Sequence, residues 1–187
     1  GPPLAREFHP EEVLATLGQL VGETLELAAV EGRQIAAVGI TSQRQGTVLL
    51  DRAGREIFCS PNIDLRAVFE VAALDDAMGP EIYRATGHAP ALLFAPARLR
   101  WFRQHQPELA CSASTLLSMA GWLGYRLTGQ ARGELGLDCE LGLVEVSSRR
   151  RSLRWLEDVG ITADLLPPII KAGQPVGGLL PQLARPW

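Results

Sequence analysis

The sequence is poor in lysine, in cysteine and in long apolar runs, and each scarcity excludes a class of protein. Lys171 is the only lysine, and a net charge of -3 at pH 7 gives no basic surface for nucleic acid. The cysteines Cys59, Cys111 and Cys139 form no CxxC pair, which is typical of free thiols in a reducing compartment. No apolar run approaches the roughly 20 residues of a membrane span. We therefore predict a cytoplasmic protein that binds neither nucleic acid nor membrane.

Common catalytic and nucleotide-binding motifs are also missing. The sequence contains no P-loop, no GxGxxG and no GxSxG elbow, so neither a nucleotide loop nor a hydrolase triad has local support. The three histidines, His9, His88 and His105, share no spacing that is typical of metal ligands. The sequence therefore predicts no catalytic residue and no metal site within this chain.

What the sequence does contain is an alternation of helical and strand patterns over 187 residues, enough for one domain. The clearest helix runs from Pro10 to Ala29, with proline at its first position and two glutamates in its first turn. Further helices are predicted over residues 65–78, 80–84, 96–106, 119–127 and 152–159, and further strands over 114–117 and 141–146. This pattern predicts an α/β layered domain.

The stretch Ile35–Arg66 organises the chain. It predicts three strands, Ile35–Ile40, Thr47–Leu50 and Glu56–Cys59, with polar clusters after the first and the third. Polar side chains at the ends of buried strands are a common way for an α/β sheet to present a ligand site. We therefore expect a binding site at these two polar junctions.

Four residues of the junctions are candidate ligand contacts, and each has a structural alternative. Arg44 and Gln45 suit hydrogen bonds to a polyhydroxylated ligand, with Gly46 allowing close backbone approach, or Arg44 pairs with a nearby carboxylate at the start of a hairpin. Asn62 and Asp64 precede a helix, so Asp64 either accepts from ligand hydroxyls or caps that helix.

Several segments occur in the order found in a known family. They are EFHPEE, IAAVGITSQRQGTVLLD, NIDLRA, RLRWFRQHQPEL, LGYRLTGQ and VGITADLLPPIIKAGQPVGGL. In this order the chain resembles the FGGY carbohydrate kinases over nearly its whole length, and it looks nearest to the xylulose kinase and autoinducer kinase branches. The resemblance implies a partial actin-like, ribonuclease-H-like domain, a mixed sheet flanked by helices, and ATP-dependent phosphorylation of a sugar hydroxyl.

The resemblance also implies roles for particular positions. Arg44 and Gln45 stand where the family places an Arg-Glu or similar pair that contacts the sugar, and Asn62 and Asp64 stand at a junction that lines the same pocket. Phe94 and its neighbour Leu93 fall near a position where an aromatic side chain often covers the substrate.

Some positions depart from the family pattern. Gln45 replaces the commoner acid, and Ala95 and Arg98 replace a small polar residue and a lysine. The loop Gly133–Asp138 stands where the family has an Asp, a Ser and an Asn. These departures leave the sugar undetermined.

By the same resemblance, the phosphate-loop strands would precede Gly1, and the catalytic aspartate and the ATP-binding second domain would follow Trp187. We therefore expect residues 1–187 to be the central and C-terminal part of the N-terminal kinase domain. The full-length protein would bind ATP and Mg²⁺. This segment would bind neither of them and would be inactive alone.

Without its neighbouring strands, Ile35–Ile40 should be an exposed apolar edge, which allows a homodimer. Two alternatives to a kinase stay open. One is a sugar-sensing module without turnover, suggested by the altered loop at 133–138, and the other is a structural role in an oligomer.

Overall fold

A computed structural model describes residues 4–90, 94–151, 156–157 and 159–184. Leu93 and most of the predicted helix 152–159 lie outside these ranges. The helices are α1 (Pro10–Ala28), α2 (Val68–Thr86), α3 (Ala95–His105), α4 (Pro107–Ser112), α5 (Met119–Thr128), α6 (Leu135–Glu140) and a last short helix, Pro181–Ala184. The strands are β1 (Thr47–Asp51), β2 (Glu56–Ser60), β3 (Ala113–Ser118), β4 (Gly133–Glu134), β5 (Val144–Glu145), β6 (Arg150–Arg151) and β7 (Ile169–Ile170). Single-turn 3₁₀ helices occupy Gly32–Gln34 and Ala163–Leu165.

The main sheet has the strand order β2-β1-β3, with antiparallel neighbours. Thr47 pairs with Ser60 on one side and with Ser118 on the other, so β1 is the central strand. Two small sheets lie elsewhere, β4 parallel to β7 and β5 antiparallel to β6. The pairing is therefore mixed and helices surround it, which confirms the predicted α/β class.

Both faces of the main sheet are buried, because side chains alternate across a strand. Leu49, Phe58 and Leu116 point to a large core that includes residues of α2 and α3. Their neighbours in sequence point to a second, smaller core with Met119 and Trp122 of α5, and these neighbours are Val48, Leu50, Cys59 and Leu117. The sheet is thus the middle layer of the described structure.

The prediction of a strand over Ile35–Ile40 is wrong. The structure describes this segment without strand pairing, and its apolar side chains are exposed, with Ile35 at 46%, Val38 at 62% and Ile40 at 37%. An extended apolar run becomes a strand only where a neighbouring strand accepts its backbone hydrogen bonds, and here no described strand does so. The expected exposed apolar segment is therefore present, but it is not a strand.

The other predicted elements differ from the structure mainly at their ends. The two helices expected over 65–78 and 80–84 form the single helix α2, which is kinked at Met78, where φ is -149° and ψ is 19°. The kink is explained by Pro80, two residues later, because proline removes a backbone donor from a helix. The strand predicted over 141–146 is reduced to β5, and the unassigned loop 130–140 contains β4 and α6.

Candidate functional site

The two polar junctions lie at the same end of the β1–β2 hairpin. The first junction is the segment Gln43–Gly46, directly before β1, and the second is Pro61–Asp64, directly after β2. Since Thr47 opens β1 opposite Ser60, which closes β2, the antiparallel register places the two junctions side by side. The sequence predicted both junctions, and the hairpin register explains why they are neighbours.

The first junction has an exposed arginine and a strained glutamine. The Arg44 side chain is 72% exposed, and its Nη1 lies 3.5 Å from Oε2 of Glu140 on α6. This long, exposed ion pair stabilises little, so the guanidinium is accessible to a ligand. Gln45 has φ at 64°, in the left-handed region that non-glycine residues seldom adopt.

Gly46 is the last residue of the first junction and connects it to β1. It is buried, and a Cβ atom here would collide with Cγ of Met119 and lie 3.2 Å from the carbonyl oxygen of Ser60. Only glycine therefore lets the chain enter β1 this close to β2 and α5.

The second junction is tied to the first by a side chain that sequence reasoning did not select. The amide N–H of Asn62 donates to Oε1 of Gln43 at 3.2 Å. Asn62 is half-buried, and its own side chain remains available at the edge of the junction. In the sequence, Gln43 lies in the same polar run, Ser42–Gly46, as the two candidate ligand contacts Arg44 and Gln45, and that position is what could have pointed to it.

Asp64 is fully buried, and its carboxylate is occupied by protein donors. Arg66 Nε donates to both carboxylate oxygens, at 3.0 and 2.9 Å, and the backbone N–H of Arg6 donates to Oδ1 at 3.0 Å. The alternative that Asp64 caps the following helix is wrong, because α2 begins after Ala67 and has no side-chain cap. Asp64 instead neutralises a buried arginine beneath the junction.

The guanidinium of Arg66 is held by aromatic rings as well as by carboxylates. Its central carbon lies 4.7 Å from the ring centroid of Phe58, 5.2 Å from that of Trp101 and 5.3 Å from that of Phe102. Nη2 donates to Oε1 of Glu7 at 2.7 Å. A buried cation is tolerated when it is paired and hydrogen-bonded, and these contacts meet that condition.

Arg98 of α3 connects the two junctions from below. Its Nη1 donates to the carbonyl oxygen of Gln45 and to Oγ1 of Thr47, and its Nη2 donates to the carbonyl oxygens of Pro61 and Asp64. The side chain is 1% exposed, and this burial lowers its pKa to about 10. In the sequence, the burial of Arg98 is indicated by its position one helical turn from both Phe94 and Phe102, which places it on the inner face of α3.

The altered loop Gly133–Asp138 uses its two acids internally. Glu134 accepts from the backbone N–H of Leu137 at 3.0 Å, at the start of α6. Asp138 is buried, and its Oδ2 accepts from Nε and Nη2 of Arg151 at 3.2 and 2.9 Å. Burial raises the pKa of Asp138 and outweighs the opposing effect of Arg151. The carboxylate of Asp138 is therefore not free to contact a ligand in this arrangement, whereas Glu134 uses one oxygen in the cap and also lines a cavity.

Phe94, the described member of the pair expected to cover the substrate, is buried in the large core. Its ring lies edge-on to His88 at a centroid distance of 6.2 Å, and a Cβ on Gly142 would meet it at 2.8 Å. A cavity of about 290 Å³ lies beside Glu134, Cys139, Arg149 and Lys171, and the four predicted site residues do not line it.

The arrangement of hairpin, junctions and surrounding helices matches a known family. The sequence profile of the N-terminal domain of the FGGY family of carbohydrate kinases matches residues 2–187. The chain belongs to this family. The autoinducer-2 kinase of Escherichia coli K12 is 32% identical over 187 residues, covering 98% of this chain and 35% of that protein. The autoinducer-2 kinase of Salmonella typhimurium is 31% identical over 171 residues, covering 89% of this chain and 32% of that protein.

Solved structures of two sugar and polyol kinases have the same fold. A xylulose kinase from Brucella ovis superposes with a TM-score of 0.90 at 22% identity, over 98% of this chain and 39% of its own. The glycerol kinase of Plasmodium falciparum, solved with ADP, superposes with a TM-score of 0.86 at 18% identity, over 100% of this chain and 39% of its own. The chain spans about a third of the length of the curated relatives that it matches.

No helix in the described part of the chain is long and apolar enough to cross a membrane. Within the same ranges, no group of three or more His, Cys, Asp or Glu side chains is arranged to hold a metal ion.

Proposed function

We propose that the full-length FGGY protein transfers the γ-phosphate of ATP to a hydroxyl of a small ketose, polyol or related carbohydrate, and that this chain supplies part of the sugar pocket. The observation that carries the proposal is the pair of junctions, placed side by side by the hairpin and joined by Arg98 and Gln43. In this proposal residues 1–187 are the central and C-terminal part of the N-terminal domain. The relatives' names place autoinducer-2, xylulose, gluconate and glycerol among the compounds to test.

The accessible groups divide the work at the junctions. The exposed guanidinium of Arg44 donates to sugar hydroxyls, and the side-chain amides of Gln45 and Asn62 both donate to them and accept from them. The carboxylate of Asp64 is filled by protein donors, so in our proposal it supports the pocket from beneath and does not touch the sugar. This narrows the sequence prediction, which assigned all four residues to direct contact.

ATP and Mg²⁺ belong to the full-length protein in this proposal. Phosphoryl transfer requires a metal and cationic groups on the phosphates, and a carboxylate that accepts the proton of the attacking hydroxyl. The contribution of this chain is to orient the hydroxyl that is phosphorylated. Its location is cytoplasmic, where sugars and ATP are both available, and the exposed segment Ile35–Ile40 allows a homodimer.

The test is ADP release by the full-length protein with autoinducer-2, D-xylulose, D-gluconate and glycerol, each compared with a reaction without sugar. We expect sugar-dependent ADP release, and we expect the Arg44→Ala variant to raise KM for that sugar by about tenfold or more, because a charge-assisted hydrogen bond is lost. The exposed Arg33→Ala is the matched control, since the one ion pair of Arg33 among the described residues is with Glu31, two residues before it. Sugar-dependent ADP release by the isolated 187-residue chain would contradict the division of work proposed above.

A sugar-sensing module without turnover is the second candidate. The observation that favours it is the altered loop, in which Glu134 caps α6 and Asp138 pairs with Arg151. Calorimetric titration of the full-length protein with the same sugars separates the two candidates. A sensor binds a sugar and releases no ADP in the presence of ATP and Mg²⁺, whereas a kinase does both.

A further inference from the structure

Arg98 is a buried cation whose hydrogen-bond partners are mainly backbone carbonyl groups. Its two terminal nitrogens make four hydrogen bonds at 2.5 to 3.3 Å: one to Gln45 of the first junction, one to Thr47 at the start of β1 and two to the second junction. The nearest carboxylate oxygen, Oδ2 of Asp64, lies 3.6 Å from Nε, and Nε makes no hydrogen bond within the described residues. A buried cation of this kind is weak evidence that Arg98 stabilises the fold, because well-packed apolar residues can often replace a buried ion without lowering the free energy of unfolding.

The contacts of Arg98 instead fix a geometry. The guanidinium is planar, and its fork holds the carbonyl oxygens of Gln45 and Pro61 on adjacent nitrogens. Those two carbonyls come from different junctions, so the fork sets the spacing between them. A lysine ammonium offers three donors from one point and cannot span the same set of acceptors.

One of these carbonyls belongs to the residue with the unusual backbone. Gln45 has φ at 64°, a conformation that persists only when surrounding contacts hold it. The hydrogen bond from Arg98 to its carbonyl oxygen is such a contact. The directions of the Arg44 and Gln45 side chains therefore depend on the fork.

We propose that Arg98 is a positioning residue for the sugar, which holds the two junctions at the spacing and orientation that substrate binding requires. This inference rests on the proposed sugar pocket. It assigns no contact between Arg98 and the sugar, because the side chain lies beneath the junctions. Its effect on the substrate passes through the backbone of Gln45 and Pro61.

The test uses the full-length protein with whichever of the four sugars gives the lowest KM. Arg98→Lys keeps the charge and removes the fork, so we expect KM for the sugar to rise about tenfold or more, with KM for ATP changed by less than about twofold. Arg100→Lys is the matched control, because Arg100 lies on the same helix, makes no hydrogen bond that the structure describes, and should leave both constants unchanged. Thr47→Val is a milder variant for the case that Arg98→Lys does not fold, because it removes a single acceptor of the fork. We expect Thr47→Val to raise KM for the sugar about two- to threefold.

A second readout separates positioning from general loss of structure. In ¹H–¹⁵N spectra of the full-length protein, Arg98→Lys should shift the amide signals of Gln45 and Asn62. Leu74→Ala leaves a hole in the large core and removes no hydrogen bond of the fork, so it should lower the melting temperature and leave those signals in place. If folded Arg98→Lys has an unchanged KM for the sugar, the inference is overturned while the proposed function stands. The same holds for Thr47→Val if only that variant folds. A parallel rise in both KM values also overturns it. A wild-type protein that binds and phosphorylates none of the four sugars refutes the proposed function itself, and the inference with it.

Discussion

Glu56 joins the hairpin to α5, and its removal gives a sharp test of the described packing. The carboxylate is 11% exposed, and its Oε1 accepts from Nε1 of Trp122 at 2.8 Å and from Nη1 of Arg126 at 2.9 Å. Arg126 also donates to Glu11 of α1 at 2.7 Å. One carboxylate oxygen thus links β2 to α5 and, through Arg126, to α1.

The expected cost follows from these contacts. Glu56→Ala leaves the indole N–H of the fully buried Trp122 without an acceptor, which should lower the free energy of unfolding by about 2–3 kcal/mol. Trp122→Phe removes the donor and part of the ring, at about 1–3 kcal/mol. Because both variants break the same hydrogen bond, the double variant should cost about 1–2 kcal/mol less than the sum of the two single variants.

The pH dependence provides an independent check. Burial alone would raise the pKa of Glu56, but the hydrogen bonds from Trp122 and Arg126 outweigh it and lower the pKa below the ordinary value of 4.5. The ionised carboxylate therefore stabilises the fold above pH 4.5, and this contribution is lost as the pH falls below that value. Glu56→Gln keeps an acceptor oxygen without the charge, so its stability should fall less steeply in acid.

Urea unfolding followed by far-ultraviolet circular dichroism measures all four free energies without relying on the fluorescence of Trp122. A coupling energy below about 0.3 kcal/mol would refute the reasoning, because distant and independent sites give values of that size. So would an identical acid dependence for the wild-type protein and Glu56→Gln.

Three further substitutions or modifications test other parts of the structure. Gly46→Ala should lower the free energy of unfolding by about 1–3 kcal/mol, since the added Cβ collides with Met119, and urea unfolding would show no change if the junction relaxes freely. Asp64→Ala should cost about 3–5 kcal/mol, because it removes the buried carboxylate of Arg66 and leaves the largely exposed Glu7 as its carboxylate partner, and a loss below about 1 kcal/mol would contradict the described network. Cys59 should react with a thiol reagent far more slowly than the exposed Cys111, because burial raises the pKa of Cys59 to about 12, and mass spectrometry after partial labelling would detect the reverse order.

The parts of the fold that sequence could predict are those fixed by local pattern. The hairpin β1–β2 follows from two short apolar runs around Asp51–Gly54, and α1 follows from its apolar period and its proline start. The strand predicted at Ile35–Ile40 failed because strand formation depends on a partner elsewhere, which no local pattern reveals.

The same limit applies to the candidate site. The sequence located both junctions, but it could not show that Asp64 is enclosed by Arg66 or that Arg98 lies beneath Gln45, because both contacts join segments that are distant along the chain. In the sequence, Arg98 stands out only as a departure from the family lysine. Its position among apolar residues on the inner face of α3 would have been the stronger clue.

The central position of β1 has a consequence for how the chain folds. β1 and β2 are joined by a short turn and can pair at once, whereas β3 reaches the other edge of β1 only after α2, α3 and α4 have been traversed. Pairings between distant segments form slowly, since the entropy of closing the loop is lost before the contacts are gained. Until β3 docks, β1 is paired with β2 on one edge only, and Leu49 is uncovered, so the interval before docking is when a nascent chain of this topology is most exposed to intermolecular strand exchange.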